Sequence, residues 1–400
     1  MAKRIWVKQL DGLGNRALQY LAAEGIRSHV PGSVIENVKL PEWGLVTSET
    51  PLPPPVRSVS LGSLRFWIDV QGLADCLNRD VIDSVIMDSY AQHIDNFPPR
   101  AVAKNLLVPY TAVPEAQGFG PDVLLCNLRG REILNNAHPD YLVLPPQFYM
   151  LLEEHTGLKI VFFGQIDDNP YVASLRHAMP HAEFIPGKNA TYDFEVIRKS
   201  VNIVPCVSTF SWLAAWLSDA ERIILPVAGF MQPAQKCTFA QPTSAGSFLG
   251  FLPFGESTYE YVLFPAAHAV DIWKNPAGFF LMQDRLVKNM KFVSENELKS
   301  ISALAARFHV MPPLLSGFDP EYYLSRNEDV AESVRNGEHS ALQHYLDHGF
   351  SAGKRPFDLD ELFYFSTYPE VPEAIGEGHL LDAWHHYALA GHAKKYLRKP

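Results

Sequence analysis

Residues 203–226, IVPCVSTFSWLAAWLSDAERIILP, constrain the fold more than any other stretch of the chain. The run 201–207 is apolar, β-branched and short enough to be a buried strand. Ser208, Thr209 and Ser211 follow where the apolar period changes, and they are residue types that cap helix starts. Phe210, Leu213, Ala214 and Leu217 then recur at helical spacing, Ser218 and Asp219 close the helix, and 222–225 reads as the next strand. The result is a βαβ unit. In an open parallel sheet its strand-to-helix turn lies at the carboxyl edge, where ligands bind. The helix start presents unpaired N–H groups and a positive dipole end, so an anion fits there. An ordinary helix cap produces the same pattern, and the spacing leaves both readings open.

The remaining chain repeats this alternation. Residues 4–10 predict a strand running into Gly12, Leu13 and Gly14, and 15–27 a helix with Ala17, Leu18, Tyr20, Leu21 and Ala22 on its apolar side. The two glycines permit a tight turn with close backbone approach to a ligand. Arg16, at the helix start, is placed either to pair with a phosphate or carboxylate or simply to be solvated. Residues 64–70 read as a strand, 72–77 and 81–93 as helical, and 121–128 as a strand ending at Asn127 and Arg129. From 141 onward, helices over 145–156, 169–179 and 191–200 alternate with strands over 159–163, ending at Gly164 and Gln165, and 182–185. Such alternation predicts a doubly wound parallel sheet. Asp167 and Asp168 lack the spacing of a DxD metal site and suit a helix cap instead, so no metal is expected.

With 400 residues there is material for two or three domains. The net charge of −10, without a local basic patch, excludes a nucleic-acid partner. Apolar runs fall short of a membrane span, and residues 1–10 carry positive charge without the apolar core of a signal peptide. Cys76, Cys126, Cys206 and Cys237 are scattered without CxxC spacing, as for reduced thiols. A cytoplasmic protein is expected, associated at most peripherally with the inner face of the membrane.

STFSWLAAWL, residues 208–217, resembles the STFSWW-type motif of bacterial fucosyltransferase-like glycosyltransferases, and DGLGNRALQY, residues 11–20, resembles their GGLGNQLFQY opening. The resemblance implies an α/β GT-B architecture: two Rossmann-like domains facing a cleft, over 1–140 (acceptor side) and 141–316 (nucleotide-sugar side, last helices crossing back), with Gly12, Gly14, Asn15, Arg16, Asn127 and Arg129 at the cleft. The strand before Arg129 corresponds to one that ends in an HxRxGD-like motif holding a nucleotide diphosphate. Here Arg129 and Gly130 are present, the histidine is absent, and Glu132 stands where Asp is expected. Within the group, the closer resemblance is to retaining β-Kdo transferases of bacterial surface polysaccharide assembly (lipopolysaccharide O-antigen and capsule). It implies CMP-β-Kdo as a single-phosphate donor, held at Ser208, Thr209 and Ser211, no metal or cofactor, and a glycan acceptor that is in some cases lipid-linked. Retention implies a carboxylate nucleophile and a covalent glycosyl-enzyme adduct. A GDP-sugar fucosyltransferase-like enzyme and an inactive nucleotide-sugar-binding module are the alternatives.

The long loop 226–253 contains no Asp or Glu, and Cys237 stands where the resemblance places the aspartate nucleophile. Three readings of Cys237 stay open. It is a structural cysteine, with Glu256, Glu260 or Asp271 as the carboxylate; it is a native thiolate, with Lys236 beside it; or it replaces an aspartate. His268 is the candidate acid or base of this region, with a buried structural histidine as the alternative, and Gln165 is a candidate donor or acceptor contact.

Residues 317–400 contain two similar helical segments offset by about 39 to 42 residues, with matching Phe-Asp starts and His-Tyr…Gly ends. Their histidines follow the repeat pattern, so a scaffold or protein-docking module is expected there, without chemistry of its own.

Overall fold

Four strands, β1 (Arg4–Val7), β2 (Val34–Glu36), β3 (Ser58–Ser60) and β4 (Ser84–Met87), form an all-parallel sheet in the order β2-β1-β4-β3. The computed structural model describes residues 2–134, 140–235, 249–266, 276–306, 312–377 and 380–400. β4 corrects the expected helix over 81–93: Ser84, Val85, Ile86 and Met87 are all buried, as in a central parallel strand covered on both faces. A short, continuous apolar run carries no periodicity to separate strand from helix. The strand expected over 64–70 does not form. Asp69 instead caps helix α2 (Val70–Asn78), its Oδ1 accepting the Gly72 N–H at 2.9 Å.

The second sheet has seven strands: β5 (Val123–Leu128), β6 (Lys159–Gly164), β7 (Glu183–Pro186), β8 (Asn202–Val204), β9 (Arg222–Val227), β10 (Tyr259–Leu263) and β11 (Lys291–Val293). Their order is β11-β10-β9-β8-β5-β6-β7, parallel except for the antiparallel edge strand β11. The boundary expected at 141 therefore falls within this unit. β5 lies at its centre, hydrogen-bonded to β6 and β8, so the second sheet begins at Val123. Two Rossmann-like units thus follow one another, as the α/β reading required.

Residues 312–318 lie against the first unit. The Leu315 N–H donates to Asp69 Oδ2 at 2.7 Å, and the Gly317 N–H to Asp75 Oδ2 at 2.9 Å. His392 bonds Asp75 as well, at 2.9 Å. Burial alone would raise the Asp75 pKa, but the bonds from His392 and Gly317 and the Arg79 charge hold it below the usual range.

The tail folds as two matching copies: helices Pro320–Ser325, Glu328–Arg335 and Ala341–His344, then Glu361–Thr367, Glu370–Gly376 and Ala383–His386. In each copy a tyrosine is hydrogen-bonded to a histidine Nδ1 at 2.8 Å, Tyr323 to His344 and Tyr364 to His386. The first copy is not a separate module. Gln343 accepts the Ser60 N–H at 2.6 Å and donates to the Ser60 carbonyl at 3.1 Å, so its amide occupies the edge of β3 as a neighbouring strand would. Phe318, Tyr323, Leu342 and Tyr345 belong to the main core, whereas Phe357, Tyr364, Val371 and Tyr387 of the second copy form a small core of their own.

Candidate functional site

In each sheet the strand order reverses once. The chain passes from β1 to β2 on one side and returns to β3 and β4 on the other, so the first reversal lies between β1 and β4. In the second sheet β5, β6 and β7 run one way and β8, β9 and β10 the other, which puts the reversal between β5 and β8. Diverging loops open a crevice at such points. Residues at or beyond the ends of the four strands that flank the two reversals line one cleft of about 770 Å³: Asp11, Gly12, Gly14 and Asn15 after β1, Tyr90 and Gln92 after β4, Asn127 near the end of β5 and Arg129 after it, and Cys206, Ser208 and Thr209 after β8.

Two helix starts meet there, α1 (Leu13–Arg27) from the first unit and α4 (Thr209–Trp216) from the second; α3 (Ala190–Arg198) packs beside α4. Gly14 permits the approach, because a Cβ at that position would lie 2.7 Å from the Phe210 backbone nitrogen and 2.8 Å from Thr209 Oγ1. Thr209 Oγ1 donates to Asn15 Oδ1 at 3.1 Å, and Gln92 Nε2 donates to the same oxygen at 3.0 Å. Gln19, buried in α1, ties the loops of the first reversal together: its oxygen accepts the Leu10 N–H at 2.8 Å and its amide donates to the Met87 and Ser89 carbonyls at 3.1 and 2.9 Å. The two sequence motifs are therefore the two halves of one interface.

On the second-sheet side, Arg129 donates to Ser208 Oγ at 3.2 Å and lies over the Tyr141 ring at 5.0 Å. Ser208 makes no side-chain cap within its own helix, so its hydroxyl serves the arginine and the cleft. Asn127 is locked in place, its Nδ2 donating to the Phe163 carbonyl at 3.1 Å and its Oδ1 accepting from the Cys206 thiol at 3.2 Å. Burial pushes the Cys206 thiol up to about 11, opposed by Arg129, so it stays protonated and donates. Opposite, the Tyr90 hydroxyl donates to the Asp11 carboxylate, and burial together with that bond pushes the phenol up to about 12. Asp11 has φ 49°, a left-handed conformation, where the resembling motif has glycine.

The expected residues do not all reach this cleft. Ser211 is fully buried and accepts the Cys206 N–H at 3.1 Å, so its hydroxyl braces the turn and cannot touch a ligand. Arg16 does not line the cleft; it donates to the Lys39 carbonyl at 2.7 Å. Gln165 does line it, but its side-chain oxygen accepts the Gly130 and Arg131 N–H groups at 2.7 and 3.0 Å, which gives it a bracing role. Glu256 pairs with Arg100 at 2.5 Å, and Glu260 with His155 and Arg222 at 2.8 Å each, both off the cleft lining. Cys237, His268 and Asp271 lie outside the described residues. Asp167 pairs with Arg131, and Asn169, not the expected aspartate, provides the helix cap. Among the described residues, no group of His, Cys, Asp and Glu is arranged to hold a metal, and no helix is long and apolar enough to cross a membrane.

Two carboxylates among the described residues line the cleft, Asp11 and Asp193, and sequence reasoning assigned a role to neither. Asp11 opens the motif at residues 11–20. Asp193, Tyr90 and Tyr141 carried no sequence signal, because only the pairing of distant strands brings them to the cleft.

No known family profile matches the chain, and no curated protein matches it. Among solved structures, a mutant of Arabidopsis thaliana FUT1 in complex with GDP is 11% identical, over 56% of this chain and 70% of that one, with a TM-score of 0.35. A glycosyl transferase of family 9 from Veillonella parvula is 14% identical, over 76% of this chain and 98% of that one, with a TM-score of 0.36.

Proposed function

We propose that the chain is a glycosyltransferase whose donor is a sugar activated by a nucleoside monophosphate, CMP-β-Kdo in the reading favoured by its motifs. The observation that carries this is the meeting of Arg129 with Ser208 at the start of α4, within the reversal of the second sheet. One guanidinium, a helix N-terminus and the hydroxyls of Ser208 and Thr209 suit a single phosphate, and Arg129 is the one Lys or Arg among the described residues that line the cleft. A diphosphate calls for more cationic contacts. The acceptor glycan enters from the first-sheet side, past Asp11, Tyr90 and Gln92.

Retention requires two displacements. A nucleophile attacks the anomeric carbon and CMP leaves with the bonding pair, its phosphate charge held at Arg129 and the helix start. The acceptor hydroxyl then attacks the adduct, its proton passes to a base, and the enzyme nucleophile is released. Cys237 holds the nucleophile position in this reading. The test is titration of the full chain with CMP, CDP and GDP, followed by incubation with CMP-Kdo and intact-mass spectrometry. CMP is expected to bind most tightly, with a mass gain of one Kdo unit on Cys237. Tighter GDP binding would replace the donor class, and CMP binding without adduct or turnover would leave a nucleotide-sugar-binding module.

A further inference from the structure

We infer that Asp193 reads the nucleobase of the donor and selects a base with an exocyclic amino group, cytosine, over uracil. This rests on the nucleotide site proposed above and adds the half of it that the phosphate contacts leave undefined. Along the carboxyl edge of the second sheet the strands β8, β5, β6 and β7 are neighbours in space, and residues at or beyond the end of each one contribute to the cleft: Ser208 and Thr209, then Arg129, then Gly164, then Asp193 in the first turn of α3. At about 4.8 Å per strand, the carboxyl ends of β5 and β7 are roughly 10 Å apart. A nucleoside monophosphate with its phosphate at Arg129 extends its base along this row toward Asp193.

The carboxylate at the end of the row is oriented by one hydrogen bond. Asp193 Oδ1 accepts the Lys188 N–H at 2.8 Å, while Oδ2 accepts from no described residue. Gly187 makes the placement possible, since a Cβ there would lie 2.3 Å from Oδ2. Asp193 lines the cleft, and a carboxylate oxygen there is an acceptor only. It matches the N4 amino donor of cytosine and repels the O4 acceptor that uracil presents at the same position.

Calorimetric titration of the full chain with CMP and UMP tests this. The unaltered chain is expected to bind CMP at least about tenfold more tightly than UMP, the ratio one charge-assisted hydrogen bond supports. In Asp193→Asn, the Lys188 N–H keeps the amide oxygen in the Oδ1 position, so the NH2 takes the place of Oδ2. CMP should weaken, UMP should strengthen, and the preference should fall to one or invert. Gly187→Ala displaces the carboxylate without touching the phosphate contacts and should erase the preference as well. Equal affinities in the unaltered chain, or a ratio unchanged in both variants, would overturn the base-reading role and leave the phosphate site standing. Absence of binding by either nucleotide would overturn both.

Discussion

Ser208 and Ser211 are three positions apart, on the same turn, and have opposite fates. The first meets Arg129 in the cleft; the second is buried and braces the backbone of Cys206. Because Ser208 caps nothing in its own helix, its hydroxyl can be removed with little effect on the fold. Replacing Ser208 and Thr209 together with alanine is expected to weaken CMP binding by about 1–3 kcal/mol, the range for hydrogen bonds to a charged group. Calorimetry reads the affinity, and a melting temperature within a few degrees of the unaltered chain shows that the loss is local. Unchanged affinity would move the phosphate elsewhere. Asp11 illustrates the reverse relation. Its left-handed backbone is strained for a side chain, and that strain is retained where its carboxylate faces the cleft beside Tyr90.

At the scale of elements, the site depends on two helix starts packed against each other across two sheets. Gly14 allows them to approach this closely, because the atom that a Cβ there would strike is a backbone nitrogen that cannot rotate away. Gly14→Ala should force α1 and α4 apart, break the Thr209–Asn15 bond and lower stability by about 1–3 kcal/mol, the usual cost of overpacking. Thermal unfolding followed by nucleotide titration checks this, and a variant with both values unchanged would contradict the close approach. Gly12, two residues earlier, has open space around it, so Gly12→Ala is the internal control. The alternation that made the second sheet readable came from strands and helices long enough to show their period. β4 failed that test because its four residues are buried on every side and present no polar face to mark the strand.

For the whole molecule, the tail divides at about residue 356. The first copy completes the first sheet's edge and shares the main core, while the second has its own core and meets the rest of the protein through the His392–Asp75 bond and through Arg355, which pairs with Asp382 and lies over Trp384. Removing residues 357–400 should leave CMP affinity unchanged and the protein monodisperse. Removing 318–400 should uncover β3 and produce aggregation, visible in size-exclusion chromatography, since an unpaired strand edge templates association. A well-behaved protein lacking 318–400 would show that Gln343 is a passive neighbour. The local sequence by itself determined the βαβ unit around Ser208, the glycine turn at 12–14, the α/β class and the twofold repeat of the tail, because each is written in a period, a cap or a turn residue within one stretch. Only the tertiary structure decided that β5 belongs to the second sheet, that Asp11, Tyr90 and Asp193 share a cleft with Ser208, that Ser211 and Arg16 do not reach it, and that half the tail belongs to the first sheet's core. Those facts depend on which strands pair across long separations and on where side chains point after packing, and no local pattern encodes either.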